Sequence, residues 1–202
     1  MTTKISDYTI PFDAIWDFEN ALSDYTGAPY VVTTDCCTHA IELCFRYSSH
    51  ESVTIPKHTY LSVPMVFHKL NMPYTFVNQD WEGEDNFGFT NIWDSARRLM
   101  PQMYKRGQFQ CVSFGRTKPL EIGRGGAILT DDKDAYDALK RMSYDGRDLS
   151  ISPWEKQQSF NVGYHYMMRP EECIDGLNKL NNGEIFHSSK YSYPDLSTIN
   201  IT

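Results

Sequence analysis

Apolar positions follow two alternating rhythms from about residue 11 to about residue 145. Over residues 11–25, Ile15, Trp16, Phe18, Ala21, Leu22 and Tyr25 recur at helical spacing, and Gly27 follows as a stop. Short runs of β-branched and aromatic residues predict strands at 30–33, 53–56, 74–77, 89–93, 110–114 and 127–130. Helical spacing predicts helices at 38–45, 61–70, 95–100, 133–142 and 171–180. Alternation of this kind predicts a three-layer α/β domain, an open and mostly parallel sheet with helices on both faces. The pattern changes near residue 146. The remaining stretch carries Trp154, Tyr164, Tyr166, one helix and a polar tail with Pro194, too little for a core of its own. The expected organisation is a main α/β domain at 1–145 and a small C-terminal segment at 146–202, docked on that domain or on a partner subunit.

Composition narrows the partners. Of 202 residues, 26 are acidic and 19 basic, and Lys and Arg form no run, which argues against nucleic acid or an anionic membrane as a partner. The five cysteines, Cys36, Cys37, Cys44, Cys111 and Cys173, show no CxxC spacing. They point to free thiols in a reducing compartment, with no disulfide framework and no metal site. The N-terminal residues lack a signal-peptide apolar stretch and no run approaches membrane-span length, so the expected location is the cytoplasm.

Four features fall at the carboxyl ends of predicted strands, the rim where open α/β sheets place ligands. The turn Thr34-Asp-Cys-Cys-Thr38 opens a helix, where free N–H groups and the Thr38 hydroxyl suit a phosphate. Asp94 ends a strand among apolar neighbours, a costly place for a carboxylate unless it meets a cation such as a protonated pyridine nitrogen. Lys118 follows the strand at 110–114 in a turn before the Gly-rich run at 123–126, where desolvation or nearby charge would lower its pKa and make it a nucleophile. Tyr60, at the next rim position, can lie against a flat ring. Each residue alone also has an ordinary reading: Thr38 and Asp94 as helix caps, Lys118 as a solvated surface group, Tyr60 as core. Their order along one rim favours the chemical reading.

Taken together, these segments resemble the DegT/StrS family of sugar-nucleotide aminotransferases, which are fold-type I pyridoxal-phosphate enzymes. The resemblance is carried by Phe18-Glu19 with residues 21–26, Cys36-Cys-Thr-His-Ala40, the loop Pro56-Lys-His-Thr-Tyr60 and Asp94-Ser-Ala96. It continues through Ser113-Phe-Gly-Arg-Thr-Lys118 and Gly123-Arg-Gly-Gly126 with Thr130-Asp-Asp132, the most specific stretch, and then through Tyr144-Asp-Gly-Arg147 and Gly163-Tyr-His-Tyr166. It implies pyridoxal 5'-phosphate as cofactor, joined covalently to Lys118, with Lys118 also moving the proton in catalysis and Asp94 holding the pyridine nitrogen protonated. Thr38 and Ser113 would bind phosphate and Tyr60 would stack on the ring. The implied activity moves an amino group from an amino acid, commonly glutamate, to a nucleotide-linked keto-sugar, in a homodimer whose sites share residues across the interface.

Departures mark the expected weak points. Arg97 stands where members carry Gln near the cofactor's phenolic oxygen, Cys37 replaces Gly in the phosphate turn, and Gly115 replaces His near the lysine. His165 takes the place of an Asn that reaches a neighbouring subunit's cofactor phosphate. The segment between residues 77 and 94 is too short for the family's additional strand and helix, and the C-terminal part is shortened. Those losses leave open the alternative of a catalytically silent homologue that binds cofactor or a partner subunit without turnover.

Overall fold

The computed structural model describes residues 2–186 and 192–200. Five strands form the central sheet, in the order β1 (Tyr30–Thr34), β7 (Gly126–Thr130), β6 (Phe109–Ser113), β5 (Ile92–Asp94) and β4 (Asp85–Asn86). β5 and β6 pair in parallel, and β1 runs in their direction on the far side of β7; β7 and the two-residue β4 run against them. A separate ribbon pairs β2 (Val53–Pro56) with β3 (Tyr74–Val77) in parallel register, Val53 facing Tyr74.

Helices cover both faces. α1 (Asp13–Thr26) and α5 (Pro170–Asn181) pack on one side, where Ile15, Phe18, Leu22, Cys173 and Leu177 meet Val31, Val112 and Leu129 from the sheet. α2 (Cys37–Tyr47), α3 (Ser62–Lys69) and α4 (Lys133–Ser143) cover the other side around Ile41, Phe45, Phe67, Ile92, Cys111, Ile128 and Leu139. The helical spacing at the start of the chain thus builds α1, and Gly27 ends it in the left-handed region at φ 78°, its N–H donating to the Ser23 carbonyl at 2.8 Å. α5 sits close to α1 because position 176 has no side chain: a Cβ on Gly176 would lie 2.6 Å from the Phe18 ring.

One buried ion pair ties the two faces. Glu19 accepts hydrogen bonds from the Thr33 N–H and hydroxyl, both at 2.8 Å, and from the Lys140 ammonium; Glu19 and Lys140 are each almost wholly buried. The Lys140 ammonium also lies 4.4 Å from the centroid of the Trp16 ring.

The structure departs from the sequence pattern mainly between residues 80 and 100. The helix expected at 95–100 does not form. Asp94 Oδ1 instead accepts from the Ala96 N–H at 2.9 Å, a local turn that competes with a helix, the Arg97 N–H donates to the Gly83 carbonyl, and Pro101 blocks continuation. The strand expected from residue 89 begins only at Ile92. Gly88, at φ 63°, and Asn86, whose side chain donates to the Thr90 carbonyl, fold residues 88–90 into the turn joining β4 to β5 and leave Phe89 fully exposed. β4 itself lies in a stretch for which the sequence pattern predicts no element.

After α5 the chain returns to the rim at residues 192–199. Lys57 pairs with Asp195 at 2.9 Å, the Leu196 N–H donates to the Lys57 carbonyl, and the Leu196 side chain is buried.

Candidate active site

The strand ends converge on a cleft of about 550 Å³, a size suited to a small-molecule ligand. Cys37, Thr38, Tyr60, Asp94, Arg97, Ser113 and Lys118 all line it. His165 does not. It is exposed on a bridge to Tyr144, its ring Nδ1 3.1 Å from the Asp145 carboxylate.

Lys118 is presented by a loop pinched at its base. The N–H groups of Ile122 and Gly123 both donate to the Phe114 carbonyl, Gly115 bridges Gly123, and Thr117 sits at φ 67° as the chain reverses. The Lys118 N–H closes the turn on the Gly115 carbonyl at 3.2 Å. Burial lowers the pKa of the Lys118 amine, partly offset by Cys37 and Asp94, while Arg97 lowers it further. A larger free-base fraction is what a nucleophilic lysine needs. Burial has the opposite effect on Asp94, raising its pKa against the Ala96 N–H and Lys118, which both favour the charged carboxylate. The Cys37 thiol is pushed well up, chiefly by burial, and stays protonated.

The start of α2 forms the other wall. Its cap residue, Cys36, makes no side-chain capping bond, so the first N–H groups of the helix are available to an anion. The Thr38 hydroxyl lies 2.7 Å from the Ser62 hydroxyl at the start of α3, giving two hydroxyls beside those N–H groups. β7 presses against this turn: Cys36 bridges Gly125, and a Cβ on Gly126 would sit 2.5 Å from the Cys37 nitrogen. Arg124 fixes the turn from outside, donating to the Asp35 carboxylate at 2.8 Å and to its carbonyl at 3.1 Å. Asp35, Cys36 and His39 bring a carboxylate, a thiol and an imidazole within 4.8 Å of one another, but the Arg124 guanidinium already occupies that carboxylate.

Aromatic groups frame the mouth. Tyr193 stacks on Trp81 at 6.0 Å between ring centroids and 14° between planes, and meets Tyr60 edge-on at 6.2 Å. Trp81 is held by its indole N–H on the His58 carbonyl, and His58 Nδ1 lies 3.0 Å from the Tyr193 carbonyl. Ser62, Trp81, Tyr193 and Asp85 are absent from the sequence-based candidates. A hydroxyl just before an apolar helical run was a signal for Ser62; the others depend on the tail's return and on a two-residue strand.

The layered α/β fold thus brings an amine, a carboxylate and a helix start open to an anion to one rim. The chain belongs to the DegT/DnrJ/EryC1/StrS aminotransferase family, whose model matches residues 5–83 and 102–193. Residues 84–101, which carry Asp94 and Arg97, fall between the matched segments, so the place of Asp94 rests on the geometry above. No curated protein matches the sequence. Among solved structures, the fold is similar to AtS13 from Actinomadura melliaura, with a TM-score of 0.72 at 16% identity over 83% of this chain and 59% of that one. It is also similar to Helicobacter pylori PseC, an aminotransferase involved in the biosynthesis of pseudoaminic acid, at TM-score 0.70, 14% identity and coverage of 84% and 57%. NtdA from Bacillus subtilis, solved with bound cofactor PMP, aligns at TM-score 0.69 and 15% identity over 85% and 48%. The chain therefore spans about half to six tenths of the length of these proteins.

Proposed function

We propose that this chain is a pyridoxal 5'-phosphate-dependent aminotransferase that moves an amino group from glutamate to a nucleotide-linked keto-sugar. The observation that carries the proposal is the shared cleft in which a half-buried amine of lowered pKa, Lys118, and a buried carboxylate, Asp94, act on each other across the space between two strand ends. The residues present fit the cofactor. Asp94 has one oxygen satisfied by the Ala96 N–H, leaving the other for a ring N–H, and the hydroxyls of Thr38 and Ser62 join the free N–H groups of α2 as a phosphate cradle.

When bound, the cofactor supplies an electron-withdrawing ring that stabilises negative charge at the carbon losing its proton. Each residue would then have one task. Asp94 keeps the proton on the ring nitrogen, a buried charge pair strengthened by the low local dielectric. Lys118 would hold the cofactor through its Nζ and would accept and return a proton at that same atom. Ser113, at the end of β6, adds a phosphate donor. Arg97 supplies a cationic donor towards the ring's phenolic oxygen, and Cys37 stands as a neutral wall. Tyr60 and the stacked Trp81 and Tyr193 hold the planar ring and exclude water at the mouth.

The same reading divides the chain into a cofactor-binding part at 1–145 and a C-terminal segment at 146–202, works as a homodimer and operates in the cytoplasm. Exposed Ile151, Trp154, Phe160 and Val162, close together in sequence, support a second copy as the partner. Exposed His165 would serve the neighbouring site. The five cysteines are all free, in keeping with a reducing compartment. Among the described residues, no helix is long and apolar enough to cross a membrane. A second reading, a homologue that binds cofactor or a partner without turnover, is favoured by the short connection between β3 and β5, which holds only the two-residue β4. Incubation with glutamate and nucleotide-linked keto-sugars separates the two. Formation of 2-oxoglutarate and an amino-sugar nucleotide, lost in Lys118→Ala, supports the enzyme; cofactor binding with no product from any acceptor supports the silent homologue.

A further inference from the structure

Asp85 stands directly opposite Asp94 in the antiparallel pairing of β4 with β5. Opposed residues in such a pair point to the same face, with Cβ atoms about 5 Å apart. Both side chains are buried, Asp85 at 6% exposure and Asp94 at 8%. Asp85 Oδ1 accepts from the Gln79 amide at 2.6 Å, while its Oδ2 is buried with no hydrogen-bond partner. Two carboxylates in this arrangement cannot both hold charge cheaply, and an unpartnered buried oxygen is the natural seat of a proton.

The charged group that acts on the pair stands on the Asp94 side. On the Asp94 side stand the Lys118 amine and the buried thiols of Cys37 and Cys111, with Arg97 acting on Lys118. On the Asp85 side are the neutral Gln79 and Asn86. The neighbouring Glu84 is already paired with Arg98 and Lys105. Both acids lie in residues 84–101, between the segments that the family model matches.

We propose that Asp85 and Asp94 form one proton-sharing carboxyl pair, in which Asp85 is a positioning residue that sets how much negative charge Asp94 presents to a cationic ring nitrogen. The second half of this statement rests on the proposed cofactor. With one proton in the pair, it sits on Asp85 and Asp94 stays charged towards the cleft. As pH rises that proton passes to solvent, and a second negative charge appears beside Asp94. In agreement, the Asp85 carboxyl is pushed up to about 7, first by burial and then by Asp94, with Asn86 and Gln79 opposing.

The test is a carbon-13 NMR titration of aspartate carboxyl groups in the cofactor-free full chain, for the wild type, Asp85→Asn and Asp94→Asn. The pair should titrate in two coupled steps, the upper near neutrality. Either variant should leave a single step lower by about one pH unit or more. If Asp94→Asn leaves the Asp85 step where it was, burial alone raises it and the pair does not exist. The use of two variants keeps the test open should one fail to fold. A second arm titrates pyridoxal phosphate into wild type and Asp85→Asn across the upper step. A step in the pH profile of affinity that coincides with the upper titration in the wild type and is missing from the variant supports the role towards the ring. Equal profiles overturn that role. A coupled pair in a protein that binds no cofactor at any pH overturns the proposed function, whereas normal cofactor binding with uncoupled acids overturns this inference alone.

Discussion

Replacing Gly126 with Ala tests how the sheet builds the anion cradle. The added Cβ would meet the Cys37 nitrogen at 2.5 Å and the Cys36 carbonyl carbon and Cys37 Cα at 2.7 Å. All three atoms are backbone, so no side chain can swing aside; ordinary contact would require the start of α2 to retreat from β7 by about 1 Å. Gly126 is not at positive φ, so the cost is steric. Overpacking of this kind destabilises by about 1–3 kcal/mol, or a Tm loss of roughly 2–12 °C for a chain of this size. The same displacement moves the N–H groups of α2 and the Thr38 hydroxyl away from the cleft, and the loss of one or two charge-assisted hydrogen bonds weakens pyridoxal phosphate binding by about tenfold or more. Gly107→Ala is the control. Gly107 lies at φ 80°, and a Cβ added there would meet nothing within 4 Å, so the substitution should cost backbone strain of about 1 kcal/mol and leave cofactor affinity unchanged. Calorimetry and absorbance titration measure both quantities. A Gly126→Ala protein with wild-type Tm and affinity would refute the claim that β7 sets the cradle.

Three further outcomes follow from the geometry. Glu19→Ala strands the Lys140 ammonium and should cost about 3–5 kcal/mol in urea unfolding, whereas Glu19→Ala with Lys140→Met should recover much of it, which a double-mutant cycle checks. Asp85 has a folded-state pKa near 7 against an unfolded value near 4, so the folded form binds the extra proton between them and stability falls as pH rises across that window; Asp85→Asn should flatten the fall, of a few kcal/mol at most, in unfolding curves at pH 5 and 8. Tyr193→Ala removes the stack on Trp81 and should change tryptophan fluorescence and weaken ligand retention about tenfold, with Tm changing by less than about 4 °C.

Legibility from sequence followed the length and regularity of each element. α1, β2, β3, β7 and α4 were readable because their apolar positions repeat without interruption and strong punctuation, such as Gly27 and Asp132, marks the ends; Asp132 caps α4 through the Ala135 N–H at 3.0 Å. The rim residues were legible for the same reason, since strand ends fix where Thr38, Asp94, Ser113 and Lys118 fall. Residues 80–91 and 95–100 were not. There the backbone is governed by side chains bonding to nearby main chain, Asn86 to Thr90 and Ala96 to Asp94, which compete with periodic structure and leave no rhythm to read. Asp85 owes its place to a two-residue ladder, and Tyr193 owes its place to a tail anchored far away in sequence by Lys57 and Asp195.

The central claim is a covalent one at a single amine. The direct measurement is to incubate the protein with pyridoxal phosphate, reduce with borohydride, and map the modified peptide by mass spectrometry. The account predicts one phosphopyridoxyl group on Lys118, preceded by an absorbance band at the edge of the visible that reduction bleaches and that Lys118→Ala lacks. An unmodified Lys118, or label spread over exposed lysines with the band unchanged in Lys118→Ala, would contradict it.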